Sequence, residues 1–191
     1  MADDTWKSVT QKKKKISIVK QPETFSSEKH ILDDTWVMWF HDLNNDDWSI
    51  NSYSQLLRFN TAEDYWILYN NLSNTYNGMY YLMRQGIPPI WDDPINIRGG
   101  GWTFKVDKKF AQDMWQKLSN YCVCETLSPH YRDIVGVSIS PKIKFVTIRV
   151  WTNSNTKKLS DFENIKKNTV NDSMIVDFSN ARFTPNMDAH K

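Results

Sequence analysis

The sequence predicts an α+β domain, an antiparallel sheet with helices packed on one face. Three observations lead there. Short apolar runs of strand length alternate with stretches of helical periodicity. Two such runs near the C-terminal third are joined by a four-residue connection, which makes a hairpin rather than a parallel crossover. No internal repeat and no linker divides the chain, and its 191 residues suit one domain with a real core.

The elements follow in order. Residues 1–27 are polar, contain the run Lys12 to Lys15, and lack the apolar periodicity needed to pack, so they are expected to form a flexible basic tail. The lysine run suits a solvated tail, with non-specific RNA attraction or nuclear import as alternatives. The folded domain is expected over 28–191. Residues 35–40 (TWVMWF) form a buried strand, 44–47 a polar loop, and 49–59 a second extended segment. Asn60, with Glu63 three residues on, marks a helix start; that helix runs to about Leu72 with Tyr65, Leu68 and Leu72 on one face. Residues 79–84 are strand-like, and Pro88-Pro89 forces an extended loop that carries Trp91. Residues 99–101 make a glycine turn, 102–106 a strand, and a second helix runs from Asp107 to about Tyr121 with Phe110, Met114 and Leu118 in register. Residues 135–140 and 145–151 form the hairpin, 160–168 a short third helix, and 174–178 a last strand.

Composition narrows the function. A net charge of +2 is too mild for a protein that coats nucleic acid by charge alone, so any RNA contact must be a local patch. Nine Trp, nine Phe and eight Tyr are a heavy aromatic load for this length. Some of these rings are therefore expected at binding surfaces, stacked on a base or a cation. Cys122 and Cys124, one residue apart, are too few for a disulfide scaffold and fit a reducing, cytoplasmic compartment; both are expected to be buried and inert. The chain shows no secretory leader and no apolar stretch of membrane-spanning length. Zinc-binding, phosphate-loop and catalytic-triad spacings are missing, so the expectation is a binder, not an enzyme, with no cofactor and no metal.

Three features belong together: Trp48 in a polar loop, Trp91-Asp92-Asp93 in the loop after the prolines, and a basic hairpin with Lys142, Lys144, Arg149 and Trp151. A base slotted between two indoles gains stacking on both faces, and a cationic base gains ring-quadrupole attraction besides. Methylation at guanine N7 makes such a cation and leaves N1–H and the N2 amine as donors. A carboxylate such as Asp92 accepts both. Arg and Lys on the hairpin would hold phosphates.

The segments WFHDLNNDDW, FNTAEDYWILYNNL, GIPPIWDDPINIRGGGW and IRVWTN resemble those of the eukaryotic translation initiation factor 4E family, the messenger RNA cap-binding proteins. The likeness covers about residues 30–152 and, more weakly, the C-terminal part. It implies a curved antiparallel sheet with three helices on the convex face and a cap-binding cleft on the concave face. It also implies that Trp48 and Trp91 sandwich the 7-methylguanosine base and Asp92 reads the guanine edge. Trp151 would touch the N7 methyl group, and Lys142 and Lys144 would fall in the phosphate-binding loop. On the convex face, His30, Trp66, Gln116 and Lys117 match positions that meet a short helical motif of a scaffold partner. The family resemblance implies a monomer.

Four departures stand out. Asp92 replaces the usual Glu, Gly101 the usual arginine, and Thr147 a phosphate-binding lysine. Arg149 is expected to make up part of the lost charge as a phosphate ligand. Gln116 and Lys117 replace an apolar residue and an acid, which reverses a charge and predicts weak binding of the usual scaffold or a co-adapted partner. The expected function is cap binding in translation initiation with scaffold recruitment. A cap-binding competitor or repressor is the alternative. An aromatic-cage reader of methylated peptides and a cap-processing hydrolase are readings from other classes.

Overall fold

The computed structural model describes residues 28–72, 75–155, 163, 166–167 and 181–188. Seven strands form one antiparallel sheet: β1 (Ile31–His41), β2 (Tyr53–Thr61), β3 (Met79–Arg84), β4 (Gly100–Val106), β5 (Ile134–Pro141), β6 (Val146–Thr152) and β7 (Arg182–Pro185). Their spatial order is β2-β1-β3-β5-β6-β4-β7. Two helices lie between strands in sequence, α1 (Ala62–Asn71) and α2 (Lys108–Val123).

The period-two alternation of β1 separates the two faces of this curved sheet. Trp36 and Met38 point to the face covered by the helices, where they join Leu82, Phe104, Met114, Trp115, Leu118 and Ile148 in the main core. Val37 and Trp39 point the other way, into a smaller cluster with Tyr53, Tyr81, Met83 and Trp151. The second cluster floors the concave face. One strand thus supplies both the helix-facing core and the floor of the site.

Local chemistry explains several boundaries. Thr61, not Asn60, caps α1: its hydroxyl oxygen accepts from the Asp64 N–H at 3.2 Å while its O–H donates to the Asp64 carboxylate at 2.7 Å. Asn60 still lies within β2, so the helix starts one residue later than expected. Glu63 reaches back to the His30 N–H instead. Asp107 caps α2 by accepting from the Lys109 N–H. Gly100 and Gly101 are not a turn but the start of β4, where strand neighbours crowd them. A Cβ on Gly100 would lie 2.8 Å from the Thr184 carbonyl oxygen, and one on Gly101 would lie 2.6 Å from that of Val150.

Among the described residues two α-helices are complete where three were expected. Of the proposed third, over 160–168, only Glu163, Lys166 and Lys167 are among the described residues, and these are helical. The expected tail over 1–27 and the strand over 174–178 lie outside them. The short strand β7 was not anticipated. It pairs with β4 and buries Phe183 against Trp102, with ring centroids 5.4 Å apart. Cys122 is buried and its thiol is pushed up to about 12 by desolvation, but Cys124 is exposed, which corrects the expectation of two buried thiols. Among the described residues no helix is long and apolar enough to cross a membrane.

Candidate functional site

The concave face holds a cavity of about 540 Å³. Trp48, Trp91, Asp92, Lys142, Arg149 and Trp151 all line it, so six of the seven residues expected there share one space. Lys144 is not among its lining residues; it is exposed on the β5–β6 hairpin two residues beyond Lys142.

Trp48 sits on the β1–β2 connection. Its ring lies parallel to that of buried His41, with centroids 4.5 Å apart and planes 5° apart. The indole is 54% exposed, so one face is supported and the other open. Asp47 sets this arrangement from both sides. Its carbonyl oxygen accepts from His41 Nε2 at 2.8 Å, and its carboxylate accepts from the Ser49 N–H and O–H. Those Ser49 bonds, the backbone one first, hold the Asp47 carboxyl below its usual range.

Trp91 lies in the β3–β4 loop, 36% exposed, with its ring edge-on to Trp151 at 6.5 Å and 73°. The loop is tied by side-chain amides rather than by a strand ladder. Asn96 Nδ2 donates to the Pro88 and Ile90 carbonyls at 2.7 and 2.8 Å, and the Asp93 carboxylate accepts from the Ile95 N–H. Asp92, next to Trp91, is exposed at the cavity rim.

Trp151 is only 1% exposed, and its Nε1–H donates to Ser138 Oγ at 2.9 Å across the β5–β6 pair. Arg149, two residues earlier on the same face of β6, places its guanidinium carbon 5.3 Å over the Trp151 ring and 5.7 Å from the Trp91 centroid. Its Nη1 donates to Thr103 Oγ1 at 2.9 Å. Its Nη2 donates to the Thr184 carbonyl at 3.1 Å and to Asn186 Oδ1 at 2.6 Å. These acceptors are neutral. Burial lowers the guanidinium's pKa to about 10, which leaves it charged at neutral pH. The group occupies the space next to Gly101, where an added Cβ would come within 2.7 Å of Arg149 Nε.

Sequence reasoning missed the cavity floor and its supports. Tyr53 and Tyr81 line the floor, and desolvation raises the Tyr53 phenol to about 12. The apolar run 79–83 marks a strand buried on both faces, but the break in register of β2 hides which face Tyr53 takes. The contributions of His41, Asn96 and Asn186 have no short-range signature.

On the convex side, His30 leads into β1 and its Nδ1 lies 2.7 Å from Glu63 Oε1. Trp66 projects from α1, 44% exposed, beside buried Tyr65. The Tyr65 hydroxyl donates to the Gln116 carbonyl at 3.0 Å, which ties α1 to the turn of α2 bearing Gln116 and Lys117. The four expected partner residues therefore fall on adjoining elements of one face.

Comparison with known proteins gives a consistent result. The family model described as Eukaryotic initiation factor 4E matches residues 31–189. Eukaryotic translation initiation factor 4E of Xenopus laevis is 31% identical over 147 residues, covering 71% of this chain and 64% of that protein. The 4E-1B protein of Danio rerio is 31% identical over 156 residues, covering 78% of this chain and 71% of that one. The chain thus spans a little under two thirds of the Xenopus relative's length. Among solved structures, Caenorhabditis elegans eIF4E-3 in complex with the 4E-binding protein Mextli and a cap analog superposes with a TM-score of 0.74 at 24% identity, covering 85% of this chain and 96% of that one. Ascaris suum eIF4E-3 with m7G cap gives 0.71 at 23% identity, covering 83% and 92%. These likenesses establish the fold, and the family match over 31–189 goes further: this chain belongs to the eukaryotic initiation factor 4E family.

Proposed function

We propose that the chain binds the 7-methylguanosine 5′ cap of messenger RNA in its concave cavity and takes part in translation initiation by engaging a partner on its convex face. The observation that carries this reading is the shared cavity. Two indoles from different loops, one with a supported face and an open face, line it together with a carboxylate and a lysine. In this reading Trp48 and Trp91 stack on the cationic base, gaining dispersion and quadrupole attraction. Asp92 accepts from the guanine N1–H and N2 amine. Trp151 backs the N7 methyl group. Lys142 meets the phosphates at the cavity rim, and Lys144 and Arg149 add positive charge nearby. The protein acts by binding rather than by catalysis, as a monomer in the cytoplasm.

The deciding experiment titrates the chain with 7-methylguanosine triphosphate and with guanosine triphosphate and follows tryptophan fluorescence. Strong quenching with a clear preference for the methylated nucleotide is expected. Equal affinity for both would refute the clamp. A methylated-lysine peptide that competes as well as the nucleotide would favour an aromatic-cage reader.

A second reading, a cap-binding competitor or repressor, is favoured by the convex face. Gln116 and Lys117 stand on the turn of α2 bonded to Tyr65, the neighbour of Trp66, where the family resemblance calls for an apolar residue and an acid. A partner matched to the usual acid meets a like charge here. A pull-down with a 4E-binding motif peptide separates the two readings. Retention in moderate salt favours recruitment of the usual scaffold, and loss favours repression or a co-adapted partner.

A further inference from the structure

We propose that Asn186, in the C-terminal 3-10 turn Asn186–Asp188, is a positioning residue that fixes the loop bearing Trp91 and Asp92 through its bonds to the Asn96 and Gly99 backbone. The proposal rests on the cap reading and deepens it, making the turn after β7 part of the clamp.

Asn186 is fully buried, and its backbone N–H and both polar atoms of its side chain are used. Its N–H donates to the Gly99 carbonyl at 2.9 Å, and its Nδ2 donates to the Asn96 carbonyl at 2.7 Å. Its Oδ1 accepts from Arg149 Nη2 at 2.6 Å. A guanidinium on one side and a carbonyl on the other permit only one orientation of the amide. The chain of contacts continues through Asn96, also buried, whose Nδ2 donates to the Pro88 and Ile90 carbonyls. Backbone on both sides of Trp91 is thereby linked to Asn186 through the relay of the Asn96 side chain.

The loop needs such ties. It follows two prolines and has no strand ladder of its own between Arg84 and Gly100. A loose loop must be ordered when the ligand binds, at a cost in affinity. Pairing of β7 with β4, Gly100 opposite Pro185 and Trp102 opposite Phe183, already holds the C-terminal strand. The Asn186 side chain is therefore available to hold the loop rather than the strand.

The test uses the full chain with Asn186→Ala and Asn186→Asp, titrated with 7-methylguanosine monophosphate and triphosphate. Aspartate keeps the acceptor facing Arg149 but cannot donate to Asn96. Asn186→Ala should lose affinity for both nucleotides by a similar factor, on the order of ten-fold, because the loss falls on the base and not on the phosphates; Asn186→Asp, which also sets an anion against Arg149, should lose at least as much for the monophosphate and more for the triphosphate. In a Trp91→Ala background, Asn186→Ala should cost clearly less than it does in the wild-type chain, since of the two groups it positions only Asp92 remains. Wild-type affinity in Asn186→Asp would overturn the proposal, as would additive losses in the double variant. If Asn186→Ala does not fold, Asn186→Asp carries both arms. An unaltered chain that fails to prefer the methylated nucleotide would instead overturn the cap reading, and this proposal with it.

Discussion

Trp48→Ala isolates one wall of the proposed clamp. The ring is 54% exposed and lies 4.5 Å from the parallel His41 ring, so protein covers one face and a ligand can take the other. Losing a stacked base costs ~1–3 kcal/mol. For a cationic base, loss of the ring quadrupole adds ~0.5–2 kcal/mol. A combined loss of ~3 kcal/mol corresponds to a drop on the order of a hundred-fold in affinity for 7-methylguanosine triphosphate. The unmethylated nucleotide forfeits stacking alone, ~2 kcal/mol or roughly thirty-fold, so the preference for methylation should shrink by about five-fold. Folding should survive, because the protein itself loses only the His41 contact, ~0.5–1.5 kcal/mol. Isothermal titration calorimetry with both nucleotides at one pH and ionic strength measures these ratios without relying on the removed fluorophore. A loss below three-fold, or equal losses with the methyl preference intact, would refute the sandwich.

Other perturbations test separate parts of the structure. Lys142→Ala should weaken triphosphate binding by roughly three- to five-fold, less at high salt, and leave the methylated nucleoside unaffected, whereas Lys144→Ala should do less because that side chain does not line the cavity. Arg84→Met should cost ~3–5 kcal/mol in urea unfolding with an unchanged m-value, since it strands Glu125 and the Ile134 and Tyr131 carbonyls; a loss under ~1 kcal/mol would contradict that role. Gly101→Ala should cost ~1–3 kcal/mol, and Arg149→Met should not rescue it fully, because the Val150 carbonyl remains 2.6 Å from the new Cβ. Stability should fall in alkali. Burial raises the Tyr53 phenol to about 12 from 10.0, so its contribution is complete below pH 10 and declines as pH rises toward 12; Tyr65, Tyr69 and Tyr81 are raised as well and act in the same direction. Tyr53→Phe should lessen, but not abolish, the slope of an unfolding profile between pH 10 and 12.

How far the fold could be foreseen follows from where each signal resides. Strand β3 appears in the sequence with its observed bounds because five apolar residues and Arg84 are closed off by Gly78 on one side and Gly86 on the other. Helix α1 was displaced by one residue because Asn60 and Thr61 are both good caps and the choice depends on β2, which keeps Asn60 in the sheet. Strand β7 was missed because it is four residues long, contains a proline and gains its stability from backbone pairing with β4 and the burial of Phe183. In the cavity, Trp48 and Trp91 stand out as large aromatic rings placed in polar loops. Arg149 was legible as a cation on the face of Trp151, but not its three protein acceptors, which come from β4, β7 and the turn beyond. Such contacts join residues 35 to 46 positions apart, beyond the reach of any local pattern.

The crowding between Gly101 and Arg149 also constrains how sequences of this kind can change. The two residues sit diagonally across β4 and β6, Gly101 opposite Trp151 and Arg149 opposite Thr103, with room for a single large side chain between them. A chain with a bulky residue at 101 cannot accept arginine at 149 without expelling one of the two. A chain with small residues at both would leave Asn186 without its cation. Any route between the two arrangements passes through a crowded or an empty intermediate, so these positions are expected to vary together among related sequences and to resist exchange one at a time.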